Sequence, residues 1–122
     1  MHALDDLDII ISLIDRIKDT ISRETAASFQ ASADAIDAVT YRLSMLGEHC
    51  KRLPDEIKIA HPDVPWRAMV GLRNIVVHGY DNVSPAIVWR TATEELDAVR
   101  QMASAERSRL IAERDRGLRH ER

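Results

Sequence analysis

Arg73, Asn74, His78 and Tyr80 fall within one eight-residue run, Arg73-Asn74-Ile75-Val76-Val77-His78-Gly79-Tyr80. These residue types handle phosphates and protons: a fixed cation, an amide, a group that titrates near neutrality and a phenol. Together they could cut RNA without a metal. A base takes the proton of a 2′-hydroxyl, the oxygen attacks the adjacent phosphate, and a cation stabilises the extra negative charge of the phosphorane. His78 suits the proton transfer and Arg73 the charge, while Asn74 could orient the phosphate or His78. A histidine in the last turn of a helix also meets the negative end of the helix dipole, which favours its protonated form. The competing account is structural: such a histidine is commonly a cap, and an arginine five residues earlier is commonly a surface charge.

At about 100° per residue, Asn74 and His78 share one face of a helix and Arg73 and Tyr80 agree in azimuth, but Arg73 and His78 stand about 140° apart. A joint site therefore needs a local distortion, which Gly79 permits, or residues from a second chain. The expectation is a site completed at a dimer seam.

The elements that must position these residues follow from hydrophobic spacing. Leu7, Ile10, Ile14, Ile17 and Ile21 alternate steps of three and four, with Leu4 and Ile11 widening the stripe, which predicts a helix from Leu4 to about Arg23. The polar, alanine-rich stretch from Ser22 to Ser32 breaks the period. Ile36, Val39, Leu43, Leu46, Cys50 and Leu53 then repeat the pattern in a second long helix, stopped by Pro54. Pro54, Pro62 and Pro65 leave room only for a short turn near Glu56 to Ala60, and a third helix starts at Pro65-Trp66 and runs toward His78, with Gly79 as its terminator. Ser84-Pro85 opens a fourth helix with Val88, Ala92, Leu96 and Val99 on one face. Residues 106–122 carry six arginines and four acids. They are expected as a charged tail, frayed helix or disordered, behind a helical domain of residues 1–105. The fold class is all-α, a bundle of four to five helices, and its two long stripes are expected to leave apolar surface for a homodimer.

Composition sets the outer limits. Aromatics make up 4% of the 122 residues and there are four glycines, which disfavours a β-sandwich or barrel. The formal net charge of -3 gives no global pull toward nucleic acid, so RNA would need a locally basic cleft. The single cysteine, Cys50, lies on the apolar stripe and is expected to be a buried small hydrophobe. There is no apolar run of roughly 20 residues, and the acidic start Leu4-Asp5-Asp6-Leu7-Asp8 lacks the basic region of a signal peptide. The expected location is the cytoplasm, with no membrane contact. No Glu-x-x-His pair and no Gly-rich phosphate loop occur, so neither a metal centre nor a cofactor is expected. Trp66 and Trp89, beside apolar positions at helix starts, are expected as core anchors.

The run from Arg73 to Tyr80 resembles the Arg-x4-His-x-Tyr signature of HepT-like toxins, the HEPN partners of minimal nucleotidyltransferase antitoxins, including the Asn that commonly follows the Arg. Leu46-Gly47-Glu48 is similar to that family's Ile-Gly-Glu, Pro65-Trp66-Arg67 to its Pro-Trp, and Val88-Trp89 to its Val-Trp, so the resemblance covers about Leu4 to Met102. His49 stands where alanine often follows the Gly-Glu pair; it could add a second titratable group near the cleft, but it is expected to face solvent. The arginine-bearing tail has no clear counterpart.

The resemblance implies a HEPN helical domain, usually a homodimer whose two motifs line one basic cleft. It implies cleavage of RNA without metal to a cyclic phosphate end, with Arg73 and His78 catalytic and Asn74 and Glu48 in support. It further implies a nucleotidyltransferase antitoxin that transfers AMP onto Tyr80, placing a bulky anion where RNA phosphate must bind. The rival function is a catalytically silent helical module that positions a substrate or regulates a partner nucleotidyltransferase, in keeping with the acidic net charge.

Overall fold

The computed structural model describes residues 3–75 and 84–120, and within them the secondary structure is helical, with no strand. Helix α1 spans Ala3–Ser22, α2 Ala26–Gln30, α3 Ala33–Arg52, α4 Asp55–Ala60, α5 Trp66–Gly71, α6 Pro85–Glu94 and α7 Asp97–His120, with a 3₁₀ turn at Leu72–Asn74 after α5. The all-α expectation holds.

The apolar stripes do what their spacing requires. Leu7, Ile10, Ile14 and Ile17 of α1 and Val39, Leu43, Leu46 and Cys50 of α3 are fully buried, each large aliphatic side chain worth roughly 1.5–3 kcal/mol in water removed. α1 packs on α3 and α7, and α2 rests on α3 and α6. Leu4, Ile11, Ile21 and Ile36, on the same stripes, are only partly buried.

Local chemistry accounts for the boundaries. The Ser32 hydroxyl accepts from the Ala35 amide at 3.1 Å to start α3, and Leu53, extended ahead of Pro54, ends it. Ser84 caps α6 with Pro85 in its first turn, as expected. The stretch expected only to break the period contains α2. Thr25 and Ser28 exchange side-chain and backbone hydrogen bonds in a capping box, and Phe29 is buried against Trp89 with ring centroids 5.2 Å apart. The fourth helix is two: α6 ends at Glu94 and α7 begins at Asp97, although Val88, Ala92, Leu96 and Val99 are all buried. Near the break the Thr93 hydroxyl donates back to the carbonyls of Trp89 and Arg90, a competition that bends helices. Helix α7 then runs through the 105/106 boundary without interruption, so the charged segment after Ala105 is helix as far as His120.

Two sets of charges fix α7. Arg100 grips both oxygens of Asp15 at 2.8 and 3.1 Å, Arg107 meets Asp8, and Lys18 meets Asp97, tying α7 along α1. The Arg100 hydrogen bond holds the Asp15 carboxyl below its usual range, as Lys18 does for Asp97. On its other side Glu106 pairs with His61 Nε2 at 2.7 Å and with Arg109 at 2.7 Å, while the His61 carbonyl accepts from the Trp66 indole N–H at 2.9 Å. Trp66 is thus anchored to the core rim, and α7 is fastened to the loop that launches α5.

At Gly47 α3 comes tightly against the end of α5. A Cβ added there would lie 2.6 Å from the Met69 carbonyl oxygen, 2.7 Å from the Arg73 amide nitrogen and 3.2 Å from Leu72 Cβ. Only a residue without a side chain lets α3 meet the α5 end and its 3₁₀ turn backbone to backbone. Gly71 differs, because nothing lies within 4 Å of a Cβ there.

Two outcomes follow. Gly47→Ala should cost about 1–3 kcal/mol or more by overpacking, whereas Gly71→Ala should be neutral or stabilising by up to about 1 kcal/mol; equal urea midpoints for the two variants would show the close approach to be unimportant. Burial pushes the Glu106 carboxyl up, but the His61 and Arg109 hydrogen bonds outweigh it and hold it below its usual range. A depressed carboxylate stabilises the fold above its unfolded value of about 4.3 and loses that contribution as pH falls through its folded value. The stability gap between the native chain and Glu106→Gln should therefore be full at pH 7 and shrink toward about pH 3, measured by urea unfolding at both; a gap that widens on acidification contradicts the ion pair.

Candidate functional site

Arg73 is set by its backbone before its side chain. It lies in the Leu72–Asn74 turn, with its amide against Gly47 and its carbonyl oxygen accepting from the Ser44 hydroxyl at 3.3 Å. The tightening to 3₁₀ geometry makes the azimuths of an unbroken α-helix inapplicable at these residues. The guanidinium, about one-third exposed, points its Nε at Glu48 Oε2, 3.3 Å away. Ser44, Glu48 and Arg52 follow one another at i, i+4 and i+8 on α3, a ridge that faces the turn.

Glu48 is shared. Its other oxygen meets Arg52 at 3.6 Å, so the carboxylate lies between two arginines. The structure thus brings together Arg73 and Glu48, two of the residues singled out from sequence. Asn74 is exposed, and its side chain makes no hydrogen bond among the described residues. His78 and Tyr80 lie outside the described residues.

The expectation for His49 is overturned. It is 6% exposed, and its Nδ1–H donates to Asp6 Oδ1 at 2.8 Å; Asp6 itself is 2% exposed. The reason is register: His49 is three residues after Leu46 and four before Leu53, on the buried stripe of α3. Asp6 precedes the Leu7–Ile10 stripe of α1 by one position and supplies the acceptor a buried imidazole needs. Asp6 and Arg52 both escape attention at the level of sequence. The available signals were an acid four residues before Ile10 on a core face and an arginine four residues after Glu48.

Cys50, next to His49, is buried, and desolvation pushes its thiol up to about 12. It is a small apolar side chain, as its stripe position implied. Among the described residues, no group of three or more His, Cys, Asp or Glu side chains assembles as a metal site. No helix among them is long and apolar enough to cross a membrane. A groove of about 710 Å³ opens along α1, lined in part by Asp15, Arg16, Asp19 and Arg42, and neither Arg73, Asn74 nor Glu48 lines it.

A family model described as ribonuclease HepT-like matches residues 10–106. The chain belongs to the HepT-like family. Leu46-Gly47-Glu48 and the run from Arg73 to Tyr80 fall inside the HepT-like match, whereas Asp6 lies before it. A protein of Thermococcus cleftensis, named a probable ribonuclease HepT, is 33% identical over 63 residues, 52% of this chain and 57% of that one. A candidate RNase of Methanocaldococcus jannaschii is 31% identical over 64 residues, 52% of this chain and 59% of that one. Another, from Caldanaerobacter subterraneus, is 37% identical over 54 residues, 44% and 48% of the two chains. The chain thus spans about half the length of the relatives it matches. No solved structure matches it.

The Asp6–His49 contact makes a direct expectation. His49→Ala removes a buried side chain and leaves the buried Asp6 carboxylate with only the 4.0 Å Arg52 contact, which should cost about 2–5 kcal/mol. Urea unfolding of the variant against wild type measures it, and a loss under about 0.5 kcal/mol would mean that the pair is not a buried anchor.

Proposed function

We propose that this chain is a metal-independent endoribonuclease and the toxin half of a toxin–antitoxin pair. The observation that carries the proposal is Arg73: a motif arginine of a HepT-like chain, its backbone pinned by Gly47 and Ser44, its guanidinium aligned by Glu48 and still accessible to a phosphate. Arg73 stabilises the phosphorane that forms when a 2′-oxygen attacks the adjacent phosphate. His78 moves the protons, taking one from the 2′-hydroxyl or giving one to the leaving 5′-oxygen, and the products are a 2′,3′-cyclic phosphate and a 5′-hydroxyl. Asn74, exposed beside Arg73, orients the phosphate. A second copy completes the cleft, as the resemblance to homodimeric HEPN domains implies.

Control falls to Tyr80. A cytoplasmic nucleotidyltransferase antitoxin joins the Tyr80 phenol oxygen to the α-phosphate of ATP, with release of pyrophosphate. The added phosphate competes for the arginine that must bind RNA.

The purified protein should cut total cellular RNA in EDTA and leave 2′,3′-cyclic ends. Arg73→Ala and His78→Ala should each lower the rate by about a hundredfold or more and abolish toxicity on induced expression. Tyr80→Phe should keep cleavage and escape the antitoxin. Loss of cutting on chelation with recovery on adding a divalent ion removes the metal-free mechanism. Unchanged cutting by both alanine variants removes the site. A Tyr80→Phe variant silenced as fully as wild type removes the role of Tyr80 alone.

A further inference from the structure

The charges around Arg73 continue beyond Glu48. Arg52 places Nη2 3.6 Å from Glu48 Oε1 and Nη1 4.0 Å from Asp6 Oδ1, the oxygen that also accepts from His49 at 2.8 Å. The result is an alternating series, Asp6, Arg52, Glu48, Arg73, which runs from the first turns of α1 across α3 to the 3₁₀ turn. Each inner member uses both ends. Glu48 gives one oxygen to each arginine, and Arg52 gives one terminal nitrogen to each carboxylate.

The series is rooted at one end. The Asp6 side chain is 3% exposed and His49 8%, whereas Arg52, Glu48 and Arg73 range from 35% to 41%. An isolated, partly exposed Glu–Arg pair at 3.3 Å is weakly ordered, because solvent screens it and both side chains lose rotamer freedom. A carboxylate held from behind by an arginine that faces a buried, fixed acceptor is ordered in advance. Division of the Glu48 charge between two arginines also leaves Arg73 incompletely neutralised and attractive to a phosphate.

We infer that Asp6 and Arg52 are positioning residues for Arg73: the buried Asp6–His49 pair anchors Arg52, and Arg52 fixes the Glu48 carboxylate against the Arg73 guanidinium. The inference rests on the role proposed above for Arg73. It concerns residues outside the Arg-x4-His-x-Tyr run, and Asp6 precedes the family match altogether.

The test joins steady-state cleavage of a fluorophore–quencher oligoribonucleotide of mixed sequence to NMR of the Arg73 Nε–H, assigned by its loss in Arg73→Lys. Arg52→Gln should lower kcat by about five- to twentyfold with KM changed less than about twofold. It should also shift or broaden the Arg73 Nε–H signal and leave the thermal midpoint nearly unchanged, since Arg52 is partly exposed. Arg52→Lys should recover part of the rate. In a Glu48→Gln background the same Arg52→Gln change should cost less than about twofold, because the path is already cut. Asp6→Asn should act in the same direction and add nothing to Arg52→Gln; if the loss of a buried partner prevents its folding, Arg52→Gln decides alone. An unchanged kcat and Nε–H signal in Arg52→Gln, or effects of Arg52 and Glu48 that multiply independently, overturns the inference. If wild type cuts no RNA, the ribonuclease proposal fails by that result, and the Nε–H spectra still decide the positioning: an altered signal in Arg52→Gln supports it and an unaltered one overturns it.

Discussion

The geometry around Arg73 depends on one steric constraint, the absence of a side chain at residue 47. With the Met69 carbonyl and Arg73 amide within 2.7 Å of where a Cβ would stand, α3 and the end of α5 meet at backbone distance. That approach makes the rest feasible. It lets the Ser44 hydroxyl reach the Arg73 carbonyl and brings Glu48, one residue after the glycine, level with the Arg73 guanidinium. A wider gap would leave Glu48 and Arg73 as two unrelated surface charges. The Gly-Glu pair is therefore one device: the glycine sets the distance, and the acid uses it.

The bundle supplies rigidity around this contact. α1 contributes a fully buried apolar ridge and, one turn from its start, a buried acid; α3 contributes the matching ridge and the histidine that satisfies that acid. α7 closes the far side of α1 through Arg100–Asp15 and fastens the loop before α5 through Glu106–His61. Both ends of the α5 segment are consequently restrained, by α7 at its entry and by Gly47 at its exit.

Much of this was legible in the spacing of apolar residues. The three-four stripes located α1 and α3 to within a few residues, Pro54 and Ser84-Pro85 marked a stop and a start, and Val88, Ala92, Leu96 and Val99 are buried as their spacing implied. What escaped depends on partners distant in sequence or on short-range competition. His49 looked like a solvent residue because its acceptor, Asp6, is 43 residues away. α2 has no period to detect in five residues and exists through a capping box and one buried phenylalanine. The break between α6 and α7 leaves the apolar pattern intact, so periodicity alone could not reveal it. At the candidate site, Arg73 stood out by residue type and spacing and Glu48 by family resemblance, and their contact required the fold; His78 and Tyr80 lie outside the described residues.

Cys50 has a further consequence. It is the chain's single thiol, fully buried, with ionisation pushed up to about 12. At any physiological pH almost none of it is thiolate, the form that attacks disulfides and peroxides. While the core stays closed, this thiol is therefore withheld from disulfide exchange.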